Sequence, residues 1–95
     1  MTTMIEAKVT TESPESRLKR LQMRSMRRGI KEMDIILSRY AAARLTAMGD
    51  AELTVYDALL SENDQDLYQW VTGQTAPKSE FSGVIADIRA LIGSE

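Results

Sequence analysis

The residues best equipped for chemistry are Arg28-Gly29-Ile30-Lys31-Glu32, which close the densest run of positive charge in the chain. From Arg17 to Lys31 there are seven cations (Arg17, Lys19, Arg20, Arg24, Arg27, Arg28 and Lys31) and no acid, and then Glu32 and Asp34 follow at once. Guanidinium groups offer planar, multiple hydrogen bonds to carboxylates and phosphates. A glycine beside them lets another backbone come close. The chemistry on offer is recognition, the holding of an acidic partner or a phosphate. A run of charge is commonly just a solvated helix face, but this run lacks the interleaved acids that would lace such a face with i,i+4 pairs. The acids form a second block, Asp50, Glu52, Asp57, Glu62, Asp64 and Asp66, with no cation among them. Two blocks of opposite sign imply a polarised surface, which steers and orients an encounter.

Catalytic chemistry has little material. The chain has no cysteine and no histidine, so thiol nucleophiles, disulfides, Cys or His metal ligands and imidazole acid–base schemes are excluded. Asp64 and Asp66 sit at a helix start, where capping accounts for them. There is no glycine-rich phosphate loop. A formal net charge of -2 and a pI near 5.2 argue against a general nucleic-acid binder.

These residues must be positioned by helices. Ninety-five residues are enough for one domain with a modest core. Residues 1–12 are polar and aperiodic and are expected to form a loose tail; they resemble neither a secretory signal nor an arginine-bearing transit peptide. The domain is expected over 13–95. Ser13-Pro14-Glu15 is a helix start, with serine as N-cap and proline in the first turn. The first helix is expected to run to about Arg28, with Leu18, Leu21 and Met26 on one side and Arg20, Arg24 and Arg27 on the other, and with Gly29 as the glycine that ends it. A second helix, about 30–48, carries Met33, Ile36, Leu37, Tyr40 and Ala41. A third, about 51–61, buries Leu53, Tyr56, Leu59 and Leu60 behind an Asp50 cap. Asn63 or Asp64 caps a fourth, about 64–72, which Gly73 stops. After a loop containing Pro77, a fifth helix spans about 79–92 with Phe81, Val84, Ile85, Ile88, Leu91 and Ile92 at helical period. No segment alternates with strand period. The expected fold is all-α, a single-domain bundle of five short helices. No apolar run is long enough to cross a membrane, so membrane insertion is not expected and the expected setting is cytoplasmic.

Each feature also has a plain structural reading. Gly29 serves as a helix terminator, Glu32 as a first-turn acid paired with Arg28 four residues earlier, and Trp70 as a core residue beside Leu67 and Val71. A second functional reading, a small nucleic-acid-binding regulator using Arg20, Arg24, Arg27 and Lys31, would show binding that weakens steeply with salt.

The pattern resembles the SdhE-type succinate dehydrogenase assembly factors, also called the RGxxE family or FAD assembly factors. The resemblance rests on Arg28-Gly29-Ile30-Lys31-Glu32 before an apolar helix, with Arg24-Ser25 and Arg27 upstream and Met33-Asp34-Ile35-Ile36-Leu37 downstream. It rests also on Leu59-Leu60-Ser61-Glu62-Asn63-Asp64-Gln65-Asp66-Leu67-Tyr68-Gln69-Trp70, followed by Gly73 and Pro77. It covers roughly Leu18 to Ile92. Some family members carry an aromatic where this chain has Arg24.

The resemblance implies a five-helix chaperone, not an enzyme, that binds the flavoprotein subunit of succinate dehydrogenase and promotes covalent attachment of FAD to a histidine of that subunit. Some members also act on fumarate reductase. It implies that Arg28, Gly29 and Glu32 face the partner, with Arg24, Arg27 and Asp34 beside them. FAD would belong to the client flavoprotein, with no cofactor or metal held stably by this chain and no nucleic acid as partner.

Overall fold

A computed structural model describes residues 12–93 of the chain. The expected N-terminal tail lies outside the described residues except for Glu12. The carboxylate of Glu12 takes the fork of Arg20 at 2.8 and 3.1 Å.

Five α-helices follow one another: α1 Pro14–Arg24, α2 Lys31–Arg44, α3 Asp50–Leu59, α4 Asp64–Thr72 and α5 Ser82–Gly93. Short 3₁₀ turns, Leu45–Ala47 and Ser79–Phe81, extend α2 and lead into α5. No strand occurs among the described residues. Helix α2 packs against α1, α4 and α5. It supplies Met33, Leu37, Tyr40 and Ala41 to a single core that also takes Leu21, Leu45, Tyr56, Leu59, Leu67, Trp70, Val71, Phe81, Ile85 and Ile88. Tyr40 and Tyr56 lie ring to ring at 5.6 Å, and Trp70 and Phe81 at 6.1 Å, tilted arrangements that aromatic quadrupoles favour.

The helix ends follow local chemistry, with three departures. Ser13 caps α1 by accepting from Ser16 N–H, and Gly73 ends α4 in the left-handed region at φ 85°. There an added Cβ would meet the Arg89 guanidinium at 3.0 Å. First, α1 stops at Arg24, a full turn before the expected end. The left-handed residue of the junction is Arg27 at φ 55°, not Gly29. Second, Met26 lies beyond the helix and is 44% exposed rather than core-facing. Third, the cap of α3 is Gly49, not Asp50: the Glu52 carboxylate folds back to accept from Gly49 N–H at 2.8 Å.

Candidate docking site at the first helix junction

Two groups of arginines use the acidic block in different ways. Along α1 and α3 the cations and acids form a ladder. Arg17 donates to Asp50 Oδ1 at 2.6 Å and to Thr54 Oγ1 at 2.8 Å. Arg20 forks onto both Asp57 oxygens at 3.0 and 2.8 Å. Arg24 donates to the same Asp57 carboxylate and to Ser61 Oγ, the latter at 2.9 Å. Arg20, with Arg24 beside it, holds the Asp57 carboxyl below its ordinary range. The expected polarised surface is therefore corrected: Arg17, Arg20 and Arg24 and the acids facing them neutralise one another within the molecule. The same pairing engages Arg20 and Arg24 inside the molecule, which disfavours the alternative reading of a nucleic-acid surface built on them.

The junction between α1 and α2 is built differently. Its first residue, Ser25, is fully buried. The Ser25 hydroxyl donates to the Leu21 carbonyl at 2.8 Å and lies 2.6 Å from Tyr56 Oη. A serine has one hydroxyl proton, so the phenol donates to it. Burial pushes the Tyr56 phenol up to about 12. Two carboxylates then hold the backbone that follows. Asp34 Oδ2 accepts from Arg27 N–H at 3.0 Å, which secures the left-handed residue, while its Oδ1 accepts from Ser38 at 3.3 Å. Asp64 takes Arg28 Nε and Nη2 on Oδ1 at 3.0 and 2.7 Å, and Gly29 N–H on Oδ2.

Arg28 is thus an internal clamp. Its side chain is 11% exposed, and besides Asp64 it donates to the carbonyls of Arg24 at 2.8 Å and Leu60 at 3.1 Å. The expected Arg28–Glu32 pair is absent. Gly29 has no left-handed backbone; its need is space, because a Cβ would lie 3.3 Å from Asp64 Oδ2. The close approach that glycine permits is made by α4 of the same chain.

Among the six residues expected to meet a partner, Arg24, Arg28, Gly29 and Asp34 are engaged inside the molecule. The Arg27 and Glu32 side chains are exposed and form no hydrogen bond or ion pair with any described residue. Near them in the sequence lie the large hydrophobic side chains that the described residues leave in solvent: Met23 at 67%, Met26 at 44% and Ile35 at 47% exposure. Ile35 is three residues from Glu32 and shares its face of α2. Helix α2 begins without a side-chain cap, so Glu32 and Asp34 are the groups that offset the positive end of its dipole.

Reasoning from sequence missed Asp64, Asp57 and Ser25. Asp64 was assigned to capping, a role that Asn63 fills by accepting from Gln65 N–H at 2.8 Å. A signal for the pairing was present: Asp50, Asp57 and Asp64 recur every seven residues, opposite the arginines of the basic run. No cluster of three or more acids able to hold a metal ion occurs among the described residues, and none of their helices is long and apolar enough to cross a membrane.

The sequence matches the family described as flavinator of succinate dehydrogenase over residues 19–92. It is 45% identical over 65 residues, 68% of this chain, to a protein of Meyerozyma guilliermondii named succinate dehydrogenase assembly factor 2, mitochondrial. Proteins of the same name from Candida glabrata and Kluyveromyces lactis are each 46% identical, over 71 and 65 residues, covering 73% and 68% of this chain. The matched segment spans 48%, 46% and 40% of these three relatives, so the chain covers about half of their length or less. With the family match running across all five helices, the chain belongs to the succinate dehydrogenase flavinator family.

Proposed function

We propose that this chain is an assembly chaperone that binds the flavoprotein subunit of succinate dehydrogenase and promotes covalent attachment of its FAD. Beyond family membership, one observation carries the reading. The large hydrophobics that the described residues leave exposed, Met23, Met26 and Ile35, all fall within the sequence segment that surrounds Gly29, as do the unpaired Arg27 and Glu32. Apolar side chains rimmed by free charges of both signs suit a protein partner. A polyanion would instead favour uncompensated cations.

The contribution is positioning. In this reading the chemistry belongs to the flavin and to the acceptor histidine of the client. A partner held on a rigid junction can keep its flavin and its histidine in the reacting geometry, which converts a rare encounter into a persistent one. FAD stays with the client in this account. A groove of about 690 Å³ at the far end of α2 is lined by Glu52, Glu80 and Asp87 against the single cation Arg44, an unfavourable setting for a diphosphate. The flavoprotein of fumarate reductase is the second client to examine. The proposed setting is the compartment where the flavoprotein acquires its cofactor; the yeast relatives are named as mitochondrial.

The test is in-gel flavin fluorescence of the denatured flavoprotein subunit after incubation with FAD, with and without this protein. A covalent band that strengthens only in its presence is the expected result. Equal bands, under conditions where attachment alone is incomplete, would overturn the proposal.

A further inference from the structure

We propose that Asp64 is a positioning residue for the docking surface: by holding Arg28 and the Gly29 N–H on α4, it fixes where Glu32 and Arg27 stand. This rests on the functional reading above for its partner, and on geometry alone for its mechanism.

Three helix ends converge at one ion pair. Arg28 reaches the carbonyls of Arg24 and Leu60, at the C-terminal ends of α1 and α3, where carbonyls lack intrahelical partners. Asp64 is the first residue of α4. Each charge therefore sits at the helix pole that favours it, the guanidinium at two negative ends and the carboxylate at a positive one. The pair is shielded, with side chains 11% and 13% exposed, so solvent and salt screen it less than a surface bridge. Asn63 already caps α4, which leaves the Asp64 carboxylate free for the junction. Its second oxygen binds the Gly29 amide, and α2 starts two residues later with Glu32 in its first turn. Asp64 thus ties the start of α2, and with it Glu32, to α4, in addition to the core packing of Met33 and Leu37.

Glycine at position 29 follows from the same contact. Because its Cβ would press on the Asp64 carboxylate, the effects of changing the two positions are coupled. Residues that share a contact depart from additivity, and removing the carboxylate removes the obstacle to a larger residue 29.

The experiment uses the full chain and the purified flavoprotein subunit, with affinity measured at a temperature where every variant is fully folded by circular dichroism. Asp64→Ala is expected to weaken binding about tenfold, and Asp64→Asn, which retains one acceptor oxygen, by less. In the Asp64→Ala background, Glu32→Ala should cost far less than in the wild type, and Gly29→Ala should cost less than it does alone. Amide spectra of the free protein supply a readout that needs no partner: Asp64→Ala should displace the Gly29 and Glu32 signals and leave those of Arg20 and Asp57 in place. A variant that melts earlier yet binds with wild-type affinity, or free-energy costs of Asp64→Ala and Glu32→Ala that simply add, would overturn the proposal. Failure of the wild type to bind the flavoprotein would overturn the functional reading instead, and the amide signals would then decide the positioning role: displaced Gly29 and Glu32 signals sustain it, and unmoved ones refute it.

Discussion

The α1–α3 ladder and the α1–α2 junction draw on one run of arginines and arrive at opposite results. In the ladder, Arg17, Arg20 and Arg24 spend their charge on Asp50, Asp57 and Ser61, and what faces solvent is largely neutral. In the junction, Arg28 is drawn inward by Asp64 and Arg27 is left outside with Glu32, Met23, Met26 and Ile35. Charge density along a sequence therefore does not locate a binding surface. More informative here are unpaired charges that coincide in the chain with exposed apolar residues, as Arg27 and Glu32 do with Met23, Met26 and Ile35.

That contrast can be broken most sharply at Gly29. Gly29→Arg places a Cβ 3.3 Å from Asp64 Oδ2 and a long side chain beyond it. We expect flavoprotein affinity to fall by at least about a hundredfold, or about 3 kcal/mol, with a lowered melting temperature and retained helical circular dichroism. Wild-type affinity in titration calorimetry would refute the assignment of this junction as the docking site.

Ser25 tests how the junction is anchored. Ser25→Ala leaves the buried Tyr56 hydroxyl without its acceptor, and an unsatisfied buried donor costs about 2 kcal/mol. Urea unfolding should show a lower midpoint at an unchanged slope; an unchanged midpoint would mean that Tyr56 finds another acceptor.

Asp57 tests the ladder. Asp57→Ala strands Arg20 and Arg24, both partly exposed, and should lower stability by about 1 kcal/mol while leaving flavoprotein affinity unchanged within about twofold, well short of the roughly tenfold effect of a lost contact. A large loss of affinity in this variant would move the docking surface onto the ladder.

The smallest effect is a dependence on pH. The Asp57 carboxyl is lowered from its ordinary value of 3.8 by the hydrogen bond from Arg20. A depressed folded-state value means that its contribution is complete above 3.8, where both folded and unfolded forms are ionised. It declines as pH falls below 3.8, because the unfolded form binds the proton first, and it is gone once the folded carboxyl is also protonated. Thermal melts of the wild type and Asp57→Asn should therefore converge as pH drops through this acidic window. Parallel curves would show that Asp57 gains nothing from its arginines.

Much of the fold was legible because helix ends are local signals. Ser13-Pro14 begins α1, Gly73 ends α4 and the apolar period of 81–92 marks the last helix, all within a turn of their observed places. The junction was less legible because its geometry is set from far away. Arg28 was expected to pair with Glu32 four residues on, but its acceptor lies 36 residues away, and spacing within one helix cannot announce it. The left-handed residue is Arg27 rather than the available glycine because Asp34 captures its N–H, a tertiary contact that overrides intrinsic preference. Arg27 and Glu32 lie exposed in the motif region, while Asp64 was hidden behind a capping role that its neighbour Asn63 performs.

The most direct test is the affinity of Glu32→Ala for the flavoprotein subunit, measured by titration calorimetry beside its melting temperature. Glu32 has no hydrogen-bond or ion-pair partner among the described residues, so its removal costs the folded protein only its share in offsetting the α2 dipole, and the melting temperature should fall by no more than a few degrees. Affinity should fall about tenfold, because the lost contact is made only in the complex. Wild-type affinity in the folded variant would contradict the account, since the one acid that the junction leaves free would then have no role in holding the partner.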